Sequence, residues 1–369
     1  MIYFSEMRKS VQNILLVLLA LIISASFLFA QQTQFQPNKP GKFVLQNKLN
    51  KCQGMDVTML TTKLTSTSEW VRQNDPILNT PVGNHVQVSF LGNLCDKRLK
   101  DEDYGIQTQI YFAFHHFYIE NGVSCAATGN TAHDTGFHIN NPINLISIQF
   151  TESGFQSGDP PQLKQSLGKT LENLGKYYSV APVLREIAPG VRQYAGIASH
   201  AEVILVFNPD RPDIWIPVKV KEIMEAKLAY YRVKQQIDSI NYEKTLAEWA
   251  KLNFKPDQAM RPDLYNRIKK EFENFSAEEL NRSAYSSSQS AISNINARGD
   301  GKPVMRFNPS CWDRSLPASA VQFISIEYWP ATKTELEVFK QRNDGLTDYV
   351  GLFYNNLPVE KMGVLIQKK

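Results

Sequence analysis

From residue 43 to residue 155 apolar and polar positions mostly alternate with the period of two that marks half-buried strands. The segments "DVTMLTTKLTS" (56–66), "HVQVSFL" (85–91), "GIQTQIYFAFHHFYI" (105–119) and "NLISIQFTE" (144–152) read as strands on that pattern, divided by the turn-rich "NDPILNTPVGN" and "NNP". From residue 156 the period lengthens. In "DPPQLKQSLGKTLENLGKYYS", Leu163, Leu167, Leu171, Leu174 and Tyr178 form one stripe, with Asp159 as the N-cap and Pro160 at the first helical position. A longer helix runs from about Lys221 to Leu252 with two apolar faces, so it is expected to brace the two halves of the fold. "RPDLYNRIKKEFENF" is a further helix, Ser276 and Glu279 form a capping box, and Thr334 with Glu337 opens another helix near the C-terminus. The last helix is "LTDYVGLFYNNL", and "HAEVILVF" and "AVQFISIEYW" supply strands between the helices.

These elements predict an α+β protein: a β-rich N-terminal lobe (31–155) packed on a helix-rich C-terminal lobe with additional strands (156–369), either as two lobes or as one compact domain. Ahead of both lies a segment of a different kind. Residues 1–30 pair Arg8 and Lys9 with the apolar run "ILLVLLALII" and the small-residue stretch "SASFLFA", the pattern of a signal peptide cleaved near Ala30. Export to the periplasm or the extracellular space is therefore expected, with no stable membrane span after cleavage.

Charge and cysteine content narrow the partners. The chain has 40 Lys+Arg against 36 Asp+Glu, without a basic run of the kind a nucleic-acid footprint needs, so nucleic acid is not expected as a partner. In an exported protein Cys52, Cys95, Cys125 and Cys311 allow two disulfides in three connectivities that the sequence does not choose among; Cys52–Cys95, which flank one β region, is the favoured pairing, and free buried thiols are the alternative. No CxxC occurs, and no cofactor is implied.

Candidate chemistry gathers in "FHHFYIENGVSCAATGNTAHDTGFHIN". Alternation along a strand turns His115 and His116 to opposite faces, so a zinc-type site would combine one of them with His133, Asp134 or His138. Other strings fit their bland explanations better. Ser166 and Lys169 match SxxK but lie off the leucine stripe; Gly168-Lys169-Thr170 lacks the first glycine of a phosphate loop; "GVSCA" (122–126) lacks the second glycine of a nucleophile elbow. Ser199-His200 and Arg298-Gly299-Asp300 carry no supporting context.

A second candidate is an internal echo. "FNPDRPDIWIP" (207–217) and "FNPSCWDRSLP" (307–317) share Phe-Asn-Pro, a tryptophan and a proline at strand ends. Trp215 and Trp312 are then either a recognition platform or plugs that close the sheet against a neighbour. The expected role is a non-catalytic binding or interaction module for a protein or saccharide ligand. The alternative is a hydrolase, metal-dependent through the His115/His133/His138 region.

Overall fold

A computed structural model describes residues 34–50, 57–94, 106–120, 122–127, 133–154, 156–157, 159–196, 202–252, 263–287, 295–296, 301–341 and 349–368. In chain order the elements begin with β1 (Gln34–Phe35), β2 (Phe43–Asn50), α1 (Thr58–Asn74), α2 (Pro76–Asn79), β3 (Asn84–Asn93), β4 (Thr108–Glu120), β5 (Val123–Ala126), β6 (His133–Ile139) and β7 (Ile146–Gln149). There follow α3 (Pro161–Leu174), β8 (Tyr177–Val180), β9 (Val183–Ala188), β10 (Val191–Tyr194), β11 (Glu202–Phe207), β12 (Trp215–Pro217), α4 (Val220–Lys251), α5 (Leu264–Glu273) and α6 (Ala277–Asn281). The chain closes with β13 (Tyr285–Ser286), β14 (Ile295–Asn296), β15 (Lys302–Phe307), β16 (Phe323–Tyr328), α7 (Lys333–Gln341), α8 (Tyr349–Asn356) and a 3-10 segment, Val359–Leu365.

The α+β class is as the sequence predicts, and two sheets carry it. The larger has the strand order β2-β3-β4-β6-β16-β11-β10-β9, with β1 and β5 added to the far end of β4; the smaller runs β14-β13-β15-β8-β7, with β12 on β15. Strands from both predicted lobes enter the large sheet, since β6 pairs directly with β16 through Ile139↔Ile324 and His138↔Ser325. A boundary near residue 155 therefore does not divide that sheet. Asn140 holds the junction: it takes the left-handed conformation that Asn tolerates, its amide donates to the Ile106 and Ala320 carbonyls, and its Oδ1 accepts from the Gln322 N–H.

One face of the large sheet is apolar throughout. Val86, Val88, Ile110, Phe112, Phe114, Phe137, Ile204, Val206, Ile324 and Ile326 belong to one buried cluster with Leu60, Leu64 and Val71 of α1 and Tyr349, Phe353 and Tyr354 of α8. The α1 segment corrects its sequence reading as a strand. Leu60, Leu64, Thr67, Ser68 and Val71 are its buried positions, a helical spacing, and the threonines and serines that favour strands instead bond back one turn, Thr62 to the Thr58 carbonyl and Ser68 to that of Leu64.

The small sheet lies over part of the opposite face. A second cluster joins Val203, Leu205, Phe207 and Phe323 of the large sheet to Val180, Trp215 and Phe307 of the small one. On the far side of the small sheet α3, α4 and α5 form a third cluster around Tyr177 and Val304. The long helix thus spans Val220–Lys251 nearly as read, but it packs outside the small sheet and does not brace the two sheets; Leu252, just past its end, is exposed. Two caps also differ. Asp159 does not cap α3 but accepts hydrogen bonds from the Gln156 N–H and the Asn241 amide, and the C-terminal capping box is Thr332/Glu335, two residues earlier than read. The Ser276/Glu279 box forms as expected.

Candidate functional site

The small sheet leaves the β3-β4-β6 part of the large sheet's second face uncovered, and the side chains there are mostly polar, although Ser89 and Ala113 are buried among their neighbours. The cross-strand register sets them in rows: Tyr111 stands between Ser89 and Gly136, Gln109 between Leu91 and His138, Ala113 between Gln87 and Asp134. Continuing the β6–β16 register from Phe137↔Ile326 brings Glu327 level with Gly136. A row with glycine at its centre leaves a dip, and the Gln109 amide leans into it; a Cβ on residue 136 would lie 2.1 Å from Gln109 Nε2. Around this dip is a hollow of about 450 Å³ walled by Tyr111, Asp134, His138, Glu327 and Trp329.

The electrostatics of the hollow follow from its depth. Burial pushes His138 down to about 4, so its imidazole is neutral at physiological pH. Tyr111 is pushed well above the usual phenol range, first by burial and then by its hydrogen bond to the Asp134 carboxylate. Asp134 and Glu327 are themselves exposed, and Trp329 keeps 42% of its surface accessible.

Of the histidine-region candidates, Asp134 and His138 share this hollow. His115 lies six residues along β4 from Gln109, the partner of His138, or about 20 Å at roughly 3.3 Å per residue. The two histidines cannot bind one metal ion. His133 pairs with Phe114 in the backbone, in the alternate set of β6 positions from Asp134 and His138; its side chain lies outside what is described. Among the described residues, no three His, Cys, Asp or Glu side chains are grouped to hold a metal.

His115 instead has a neighbour that sequence reading did not consider. It stands directly opposite His85, with ring centroids 6.1 Å apart, and its Nδ1 lies 2.6 Å from the Ala127 carbonyl oxygen. A carbonyl only accepts, so Nδ1 carries the hydrogen, while Nε2 is buried without a partner. His85 is lowered by burial, then by His115 and Lys42. The pairing depends on the β3–β4 register, which no local motif announces.

The two Phe-Asn-Pro loops meet each other. Asn208 and Asn308 each fold back to accept from the N–H two residues on, Arg211 donates to the Ser310 and Trp312 carbonyls, and the Asn308 amide donates to the Asp213 carbonyl. Trp215 sits in register with Phe307, and Trp215 and Trp312 are each only 5% exposed within the cluster between the sheets. They have the positions of plugs. A recognition platform needs an accessible ring face, and neither ring offers one.

The remaining strings find ordinary surroundings. Ser166 and Lys169 are exposed on α3, and "GVSCA" forms β5 without the strand-turn-helix setting of a nucleophile elbow. Cys125 and Cys311 are free thiols, and burial pushes the latter up to about 12. The residue 1–30 segment, the Cys52–Cys95 pairing, Ser199-His200 and Arg298-Gly299-Asp300 lie outside the described residues. Among those described, no helix is long and apolar enough to cross a membrane. No protein-family model matches the chain, and no curated protein or solved structure is significantly similar to it.

Proposed function

We propose that this chain is an exported binding module whose contact surface is the open polar face of the large sheet, centred on the hollow at Gly136. The observation that carries this reading is the unequal covering of one sheet. Both faces of β11 and most of β16 are buried, whereas β3, β4 and β6 turn polar and aromatic side chains outward around a hollow of about 450 Å³. Concave sites with a few convergent polar groups are where small ligands and protruding side chains bind. Protein and saccharide ligands both suit such a surface. A hydrolase working through His115, His133 and His138 is the weaker reading, because it needs a convergence that the length of β4 opposes.

The test is site-specific photo-cross-linking in the native host, with the photoreactive residue at position 329 and a control at exposed Leu264 on α5. A defined adduct from position 329 that the control lacks supports the binding face. Equal labelling from both positions overturns it. Export rests on the sequence pattern of residues 1–30. The expected outcome is a native N-terminus at or near Gln31 by mass spectrometry, and a full-length chain recovered from the cytoplasm would contradict it.

A further inference from the structure

The hollow at Gly136 combines two features that favour one kind of guest. Asp134 and Glu327 bring two carboxylates to its wall, and no Lys or Arg appears among its described lining residues. Neither carboxylate belongs to any ion pair among the described residues. The one other titratable group that can carry positive charge there, His138, is held neutral by burial. Tyr111 and Trp329 add two aromatic rings, whose electron-rich faces attract cations. The Tyr111 hydroxyl is committed to Asp134, and the donors that remain, the Gln109 amide and the His138 and Trp329 ring N–H groups, carry no charge.

Resting on the binding-module reading above, we infer that this hollow takes an ammonium or guanidinium group, presented as a Lys or Arg side chain of a peptide. A cation compensates the desolvation of both carboxylates while its aliphatic stem lies along the Trp329 ring. A neutral saccharide could stack on Trp329 and donate hydroxyls to the carboxylates, but it would bring no charge to balance theirs. The volume is of the size that ligand sites of this kind have, so the charged end and its neighbouring methylenes fit without rearranging the sheet.

The probes are three blocked tripeptides, acetyl-Gly-Lys-Gly-amide, its Arg counterpart and a norleucine analogue that keeps the stem and removes the charge. A chitin tetrasaccharide is the fourth. Binding to the full chain is read by NMR titration and repeated near 1 M salt, where screening shortens the reach of charge to about 3 Å. The expected result is that the Lys and Arg peptides bind about tenfold or more tightly than the norleucine peptide. The advantage should shrink in high salt and vanish in the Asp134→Asn/Glu327→Gln double variant. Both changes are at exposed, nearly isosteric positions, and a thermal melt confirms that the variant remains folded. Equal binding of the norleucine peptide, an unchanged double variant or absence of cationic binding would each overturn the inference. Tetrasaccharide binding that is lost in Trp329→Ala, without binding of the cationic peptides, would overturn the cationic guest and leave the binding module standing. Failure of the module itself is read separately, by the cross-linking from position 329.

Discussion

The second face of the large sheet is two different surfaces. Over β10, β11 and β16 it carries Tyr194, Val203, Leu205, Phe207 and Phe323, and the small sheet covers it with Trp215 and Phe307, joined by Trp312 from the loop after β15. Over β3, β4 and β6 it carries Gln87, Ser89, Gln109, Tyr111, Asp134 and His138, and a hollow opens there. The apolar face behind them is continuous across both parts. What differs is whether the alternate residues are apolar enough for the second layer to pay for its own ordering. "EVILVF" is apolar at every position after its first and becomes a strand buried on both faces, whereas "HVQVSF" alternates and stays open on one. A functional surface arises here where the strand pattern stops recruiting a cover.

That contrast can be broken most severely on its covered side. Trp215→Ala and Trp312→Ala should each destabilise the protein by about 3–5 kcal/mol, because each empties a large volume between the sheets. Thermal melts of the two variants check this, and near-normal melting would mean that the cover contributes little.

Next comes pH, which acts with opposite sign in the two layers. His138 on the open face is depressed from 6.5 to about 4, so its contribution is full above pH 6.5 and is lost as pH falls through about 4. Asp75, buried in the helical layer where its Oδ1 accepts the Ile77 and Leu78 N–H groups, is raised from 3.8 to about 6 by burial, despite those bonds. Its contribution is full below pH 3.8 and is lost as pH rises through about 6. The two windows overlap and largely cancel in the unmodified chain. Asp75→Asn should expose a stability that falls with acidification between about 6.5 and 4, and His138→Gln one that rises over nearly the same range, each on the order of 2–3 kcal/mol. Denaturant titrations at stepped pH read both slopes.

The open side should respond more gently. Gly136→Ala pushes against the free end of the Gln109 side chain, which can swing away, so it should cost about 1 kcal/mol or less while filling the floor of the hollow. Trp329→Ala should change stability by less than about 0.5 kcal/mol. The ratio between the Trp312 and Trp329 effects is the sharpest measure of the difference between covered and open surface. Similar losses from both would erase it.

Much of this was legible along the chain. The helical stripes of α3 to α5 (except Tyr178, which belongs to β8 and not to the α3 stripe), the period-two runs of β3 and β4, the Ser276/Glu279 box and the α+β class follow from local spacing, because each element must direct its apolar positions to one side. The opposite orientations of His115 and His116 follow from the same rule: His115 meets His85, while the His116 ring lies against Phe35. Local preference also misled. Threonine-rich α1 has strand-like composition, and only its packing against the back of the large sheet selects the helix, since intrinsic preferences are about a kcal/mol or less per residue and burial of Leu60, Leu64 and Val71 outweighs them.

The candidate site belongs to the other category. Gln109 and Tyr111, Asp134 to His138, and Glu327 with Trp329 come from three stretches of chain, and their meeting depends on the registers of β4 with β6 and of β6 with β16. By itself the sequence determined which residues face together within each element, because that depends on the backbone period alone. Which elements become neighbours, which tryptophans are buried and which are exposed, and where a glycine opens a hollow were decided only by tertiary structure. Those outcomes arise from pairings between residues up to nearly two hundred positions apart, and no local spacing encodes such a pairing.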